Sequence, residues 1–478
     1  MPKPGETCSA CWQGCHRSKP TTSPCFARAG DPVAAEPLTP WTSSGPEPSG
    51  AEHPAAEHPA GERPAVDRLA VVDTGPLLEH AIRRLGQGIG PVAVDAERAS
   101  GFRYSDRAYL VQFYRRGAGT FLIDPIPFGS LGDLGDVIGD EEWVFHAATQ
   151  DLPCLREIDL DPERIFDTEL GARLLGMERV GLGAVVEELL GVHLAKAHSA
   201  ADWSKRPLPR DWLEYAALDV ELLLDVRDIM AELLDEAGKA RIAEEEFDSI
   251  LTRELQQKRE EPWRRLTGLS KLKTPRQLAV ARELWHARDE YARQTDRAPG
   301  RIVPDRALAA AALAMPSSMG ALQALREFTG RESRSQLPRW WAAIERGRAT
   351  DELPSRRVSS GNGMPSHRTW SQRDPDADLR LKSVRAELAE LAEVLHMPVE
   401  NVLTPDTLRR VCWSPPADPT PESVGAILRE YGARPWQVQA TAAVIAAALR
   451  DAPALAATGS QEAETAERAA GSPTSSAE

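Results

Sequence analysis

The chain has 478 residues, too many for one ordinary domain and suited to about three of roughly 150 residues each. Hydrophobic residues make up 42%, enough for packed cores, yet no apolar run reaches the ~18 residues a membrane helix needs, so a membrane-spanning protein is excluded. A net charge of -15 excludes a protein that coats nucleic acid by bulk attraction, which requires clustered Lys and Arg facing the phosphates.

Residues 1–66 are rich in Pro, Ala, Gly, Ser and Glu, repeat A-E-H-P-A at 51 and 56, and lack apolar periodicity, which predicts a disordered extension. Cys8, Cys11, Cys15 and Cys25 crowd this extension beside His16, but a second paired C-x2-C is missing and a zinc site is not the expectation. No basic segment followed by an apolar one opens the chain, so the default location is cytoplasmic.

From 67 to 235 the pattern is mixed α/β around a single sheet. P-V-A-V-D-A-E at 91–97, A-Y-L-V-Q-F-Y at 108–114 and T-F-L-I-D at 120–124 read as a meander of strands, followed by a fourth, E-W-V-F-H-A, at 142–147. Three amphipathic helical runs follow: D-T-E-L-G-A-R-L-L-G, L-G-A-V-V-E-E-L-L-G and D-W-L-E-Y-A-A-L-D-V-E-L-L-L-D-V. Residues 262–348 are helical by period and hold 17 Lys and Arg against 8 Asp and Glu, a basic module in an acidic chain. A linker at 349–373 precedes a second all-α block at 374–452, and 453–478 has the composition of a disordered tail. Cys154 and Cys412 lie among apolar residues, as small core residues do.

Asp95 and Glu97 stand at i, i+2 near the end of a strand, so both side chains project from one face and can share a cation. Asp151 follows the fourth strand by a few residues, where a strand-to-helix connection presents it at the same edge. Tyr215 and Asp219 are i, i+4 neighbours on one helix. Singly, each has an ordinary explanation as a turn or boundary residue; together they predict a site in which four carboxylates and a phenol converge. Carboxylates titrate near 4 when unperturbed, so four in one site repel, and two divalent cations cancel their charge. An all-oxygen donor set favours Mg²⁺ or Mn²⁺ over Zn²⁺. Such a pair of ions activates water and stabilises the leaving oxygen in an in-line displacement at phosphorus. Tyr215, ordinarily titrating near 10, stays protonated and orients the water.

The same residues carry a family resemblance. V-A-V-D-A-E, H-A-A-T-Q-D-L and Y-A-A-L-D resemble the three motifs of the DEDDy 3′–5′ exonucleases, and with V-Q-F, F-L-I-D-P-I and A-A-D-W-S-K-R-P-L-P the stretch is similar to the ribonuclease D group over about 68–235. The resemblance implies a ribonuclease H-like mixed sheet, with Asp95, Glu97, Asp151 and Asp219 as metal ligands, Tyr215 as the water-orienting residue and His146 as structural. Arg98 departs from the pattern, which often has an apolar residue there; the departure bears on substrate contacts and removes no ligand.

Lys196, Trp203 and Arg206 could line a substrate channel, against the plainer reading of a surface loop around a buried Trp. The two helical blocks resemble HRDC domains. In the first, Lys271, Lys273, Arg276, Arg282, Arg288, Arg301 and Arg306 supply charge for phosphate contacts that position RNA without reading its sequence. A helicase is excluded because no G-x-x-x-x-G-K-[ST] loop exists, and a polymerase because only small helical units follow the nuclease block.

The expectation is a monomeric 3′–5′ exoribonuclease that uses two divalent cations, Mg²⁺ or Mn²⁺, and releases nucleoside 5′-monophosphates. By the resemblance it trims 3′ ends of structured RNA such as tRNA precursors. The alternatives are a 3′–5′ exonuclease acting on DNA and a noncatalytic RNA-binding protein with a relic nuclease fold.

Overall fold

The computed structural model describes residues 69–194, 200–253, 260–356 and 364–470, with side chains described as far as Ala452. The cysteine-bearing extension and Lys196 lie outside the described residues.

Among the described residues the first folded block holds six strands: β1 (Val71–Val72), β2 (Ile89–Arg98), β3 (Ala108–Arg116), β4 (Gly119–Ile123), β5 (Glu142–Phe145) and β6 (Arg164–Asp167). Their order in the sheet is β1-β4-β3-β2-β5-β6. The meander read from the sequence is β2-β3-β4, antiparallel throughout, with Asp95 opposite Gln112. β5 and β6 then add in parallel beyond β2, and β1 adds in parallel to β4. Parallel pairing of β2 with β5 points their C-terminal ends to one edge, which brings the segment after Phe145 beside Asp95 and Glu97.

Both faces of the sheet are covered, so β3 is buried along almost its whole length instead of alternating. The covering helices are α1 (Gly75–Gly86), α2 (Gly132–Ile138), α3 (Leu152–Arg156), α4 (Thr168–Leu174), α5 (Leu182–Leu190), α6 (Arg210–Glu221), α7 (Leu223–Glu236) and α8 (Ala240–Thr252). α6 lies on β2, β3 and β4 through the buried Ala216, Ala217 and Val220, small enough to bring the helix close to the sheet. α8 extends this block past residue 235 and packs on β6.

The basic block contains α9 (Pro275–Thr295), α10 (Pro299–Ile302), α11 (Asp305–Ala314), α12 (Met319–Gln323), α13 (Arg331–Ser335) and α14 (Leu337–Ala349). A capping box of Thr274 and Gln277 starts α9. The block has its own core around Trp263, Leu284, Phe328 and Trp340. Gly347 permits α14 to approach α9, since any side chain there would run into the backbone of Val280.

The last block contains α15 (Trp370–Arg373), α16 (Pro375–Val394), α17 (Val399–Val402), α18 (Pro405–Trp413), α19 (Pro421–Glu430) and α20 (Pro435–Ala470). It begins before residue 374, because Trp370 is fully buried and packs against Trp413 at 5.0 Å. α20 continues to Ala470, past the point where a disordered tail was expected; its Ala, Glu and Gln residues favour helix even without a visible apolar stripe. The order of a long helix, a left-handed residue, a four-residue helix and a helix of nine or ten residues occurs twice. It runs through α9, Asp296, α10 and α11, and again through α16, α17 and α18 with His396 between, about 100 residues further on.

The two helical blocks meet the nuclease block differently. The last block shares one continuous apolar core with the sheet. At that seam the buried Glu246 of α8 accepts two hydrogen bonds of 2.7 Å from the Arg434 guanidinium and one of 2.7 Å from the Trp436 indole. The basic block is joined mainly by polar contacts. Asp296 accepts from the Tyr104 and Ser105 amides, the Ser105 hydroxyl and the Tyr109 hydroxyl, and Arg301 stacks on Phe102 at 3.8 Å.

Replacing Glu246 with Ala would strand Arg434 as a buried, uncompensated cation. Breaking such a pair costs about 3–5 kcal/mol, and urea unfolding followed by Trp fluorescence should show a destabilisation of that size. A loss under about 1 kcal/mol would mean that water, not Glu246, satisfies Arg434.

Candidate active site

Each acidic residue is held by a separate local device. Asp95 and Glu97 stand on β2, an interior strand held by β3 on one side and β5 on the other. Asp151 depends on a turn: Ala147 takes the left-handed conformation with φ 70°, and its amide and that of Ala148 donate to Asp167 at 3.0 and 2.9 Å. Asp167 also accepts from the Glu169 and Leu170 amides, capping α4. One carboxylate thus ties the ends of β5 and β6 together and sets where Asp151 begins its helix. The Asp151 carbonyl accepts from the Cys154 and Leu155 amides.

Tyr215 and Asp219 project from α6, and the Tyr215 hydroxyl donates to the Asp219 carboxylate. The helix end is tied to the sheet by the Thr120 hydroxyl donating to Glu221 at 2.7 Å. All five residues line one cavity of about 350 Å³, together with Arg98, His146, Gln150 and apolar groups that include Leu182 and Leu223.

Within the cavity, carboxylate oxygens of Asp95, Glu97 and Asp219 lie within 4.8 Å of one another. Asp151 is not among those three; its Oδ1 sits 3.7 Å from Arg98 Nη2. These residues fit a divalent cation: the donors are hard oxygens, with no thiolate and no imidazole in the cluster.

Burial pushes every one of these acids upward, and repulsion from neighbouring acids adds to it for Glu97, Asp151 and Asp219. Glu97 rises to about 10, first through burial and then through Asp95, Asp219 and Asp151. Asp219 rises to about 8 through burial and Asp95, and Asp95 and Asp151 rise chiefly through burial, against the lowering effect of Arg98. Tyr215 is raised further above its ordinary value by burial and by Asp219 and Glu97, so it holds its proton at neutral pH. His146 is pushed down to about 4 by burial and is neutral; its Nδ1 lies 2.9 Å from the Thr168 hydroxyl, which itself donates to the Phe145 carbonyl.

The residues considered for substrate contact divide. Trp203 is fully buried, its ring packed against that of Trp212 at 5.2 Å. Arg206 is committed to Asp124 at 2.6 Å and to the Trp203 and Tyr109 carbonyls. In the basic block Arg276 caps α14 through the Gly347 and Thr350 carbonyls, and Arg288 is buried on Asp305 and the Val303 carbonyl. Arg301 lies against the nuclease block, while Lys271, Lys273 and Arg306 face outward. Asp167 went unassigned in the sequence, although an Asp opening the run T-E-L-G-A-R-L-L is a helix-cap signal.

Comparison with known proteins places this fold and site in a class. Residues 69–235 match the family model for a 3′–5′ exonuclease, residues 277–344 the HRDC domain, and residues 363–449 the 3′ to 5′ exonuclease C-terminal domain. Among solved structures, a protein from Bifidobacterium adolescentis is 37% identical with a TM-score of 0.73, over 80% of this chain and 96% of that one. Ribonuclease D of Escherichia coli, an exoribonuclease involved in structured RNA processing, shares the fold at 24% identity and a TM-score of 0.57, over 76% of this chain and 97% of that one.

In sequence, ribonuclease D of Nitrobacter hamburgensis is 33% identical over 44% of this chain and 56% of its own, and that of Escherichia coli is 30% identical over 58% and 75%. The chain belongs to the ribonuclease D family. It spans 56%, 65% and 57% of the ribonucleases D of Nitrobacter hamburgensis, Pseudomonas paraeruginosa and Sphingobium indicum. No helix among the described residues is long and apolar enough to cross a membrane.

The raised carboxyls give two pH effects of known sign. A divalent ion must displace their protons, so Mn²⁺ affinity should climb from about pH 6 to about 8, the value to which Asp219 is raised, with proton release on binding at pH 7. Without metal, the stability these acids contribute is present below their ordinary value near 4 and is lost as pH rises toward the folded values. Calorimetry in two buffers of different ionisation enthalpy, and melting in EDTA from about pH 5 to 8, read both. A flat affinity with no proton release would mean that the acids are already ionised.

Proposed function

We propose that the chain is a metal-dependent 3′–5′ exoribonuclease that shortens structured RNA from its 3′ end and releases nucleoside 5′-monophosphates. The observation that carries this reading is the approach of Asp95, Glu97 and Asp219 within 4.8 Å, in one cavity with Tyr215 and Asp151. In this reading Asp95, Glu97, Asp151 and Asp219 hold two divalent cations, Mg²⁺ or Mn²⁺. Such ions, when bound, activate water and stabilise the departing 3′-oxygen.

The remaining work falls to the protein. Tyr215 keeps its proton and, being hydrogen-bonded to Asp219, offers a fixed hydroxyl to orient the attacking water. Neutral His146 braces the turn that leads to Asp151 through Thr168 and takes no proton. Lys271, Lys273 and Arg306 contact RNA phosphates outside the cavity. Precursors of tRNA are the substrate class in view, because ribonuclease D is the name borne by the relatives and structured RNA is what the Escherichia coli enzyme processes.

The test is degradation of a 3′-extended tRNA and a matched single-stranded DNA in Mg²⁺, Mn²⁺ or EDTA. Stepwise release of mononucleotides from RNA is expected, abolished by EDTA, and reduced more than about a hundredfold in Asp95→Ala and about a hundredfold in Tyr215→Phe. Equal cleavage of DNA would make the enzyme a general exonuclease, since only the 2′-hydroxyl separates the substrates. RNA binding without cleavage would leave a noncatalytic protein. Lys271→Ala with Lys273→Ala should weaken RNA binding and lessen its salt dependence; an unchanged salt slope would remove this face from the RNA path.

A further inference from the structure

We propose that Arg98 is an internal cation that occupies the Asp151 side of the carboxylate cluster until a divalent ion displaces it, so that this one residue sets the metal concentration at which the site fills. The proposal rests on the metal-dependent reading above and adds to it a competitor built into the chain.

The placement of Arg98 is unusual for its position in the strand. It follows Glu97 directly on β2, and strict alternation would send the two side chains to opposite faces of the sheet. The pairing of β2 with β3 breaks between them: Glu97 stands opposite Leu110 and Arg98 opposite Ala108, leaving Tyr109 as the extra residue. Irregularities of this kind re-aim side chains at strand ends. Arg98 lines the same cavity as Asp95 and Glu97, and among the described residues it is the one Arg or Lys that does so.

The charge balance explains what it does there. Asp151 has only 6% of its side chain exposed, and a carboxylate so buried needs a positive partner. Arg98 supplies it at 3.7 Å, close enough for an ionic interaction and too far for a hydrogen bond. Its side chain remains 28% exposed, so the long, flexible stem has a way out to solvent. A divalent ion carries twice the charge and binds carboxylate oxygen at about 2.0–2.1 Å in the case of Mg²⁺, so it outcompetes the guanidinium when its concentration suffices.

Two effects of opposite sign follow from removing the charge. The metal-free protein loses its internal counter-ion and becomes less stable, while the metal loses its competitor and binds more tightly. A purely structural arginine would produce the first effect without the second.

The experiment uses the full chain, with Mn²⁺ as the probe. Free Mn²⁺ is followed by electron paramagnetic resonance during titration of the wild type, Arg98→Gln and Arg98→Lys, and melting is recorded in EDTA. Arg98→Gln should bind its weakest Mn²⁺ about tenfold more tightly, melt lower in EDTA, and reach half-maximal RNA cleavage at a lower metal concentration; Arg98→Lys should stay near the wild type. Unchanged or weaker binding by Arg98→Gln, beside normal binding by the wild type, overturns the proposal. So does a loss of RNA affinity in EDTA with Mn²⁺ affinity unchanged, which would make Arg98 a phosphate contact. Absence of Mn²⁺ binding by the wild type and the variants alike would instead sink the metal-dependent reading itself.

Discussion

Four acidic side chains share a cavity from which water is partly excluded, and that is the constraint the nuclease block is built to bear. Ionised carboxylates at such distances repel, and burial deprives them of the solvation that would relieve it. Nothing local to Asp95, Glu97, Asp151 or Asp219 favours their convergence; the sheet imposes it. β2 is clamped between β3 and β5, α6 is pressed to the sheet by alanines, and the Asp151 turn is locked by Asp167. Apolar packing across the sheet offsets the unfavourable charge, which is why the pairing around β2 is so heavily buried. The raised acids, the proton held by Tyr215 and the inward Arg98 all follow from this one arrangement.

The same constraint explains what could be read from the sequence. Carboxylates forced together need fixed spacings, i, i+2 on a strand and i, i+4 on a helix, and those spacings are visible without a structure. The long strands β2 and β3 were visible because each carries a run rich in apolar residues between turn signals. β1 escaped because two residues carry no period, and β6 because R-I-F-D runs straight into the helix that Asp167 caps. Convergence of Asp151 on the other acids was inferred from its place after a strand, and the structure qualifies it: the residue shares the cavity but lies against Arg98.

Basic residues were the least legible part, since a count of charges contains no information about partners. Arg276, Arg288 and Arg301 look alike in sequence to Lys271 and Lys273, yet the first three are consumed by a helix end, a half-buried aspartate and an aromatic ring. Arginine serves such internal roles better than lysine, because its planar fork satisfies several acceptors at once. The continuity of the last helical block with the nuclease core was hidden for a related reason. An amphipathic helix announces that it has an apolar face, and says nothing of which domain covers it.

The two helical blocks present the same element to the nuclease block and use it in different ways. In each, a residue one or two places past the long helix adopts the left-handed conformation, Asp296 in one and His396 in the other. Asp296 offers its side chain, gathering the amides of Tyr104 and Ser105 and the Ser105 hydroxyl from the segment between β2 and β3, and the Tyr109 hydroxyl from the start of β3. His396 offers its backbone: its carbonyl accepts from Lys239 and packs so tightly on Gly176 that no side chain fits there. The second joint is backed by a continuous apolar core, whereas the first stands largely on polar contacts exposed to competition from water. Small polar interfaces between domains open more readily than extended apolar ones. The polar joint of the basic block grips the chain a few residues beyond Asp95, Glu97 and Arg98, so that joint and the acidic cluster are set by the same end of β2.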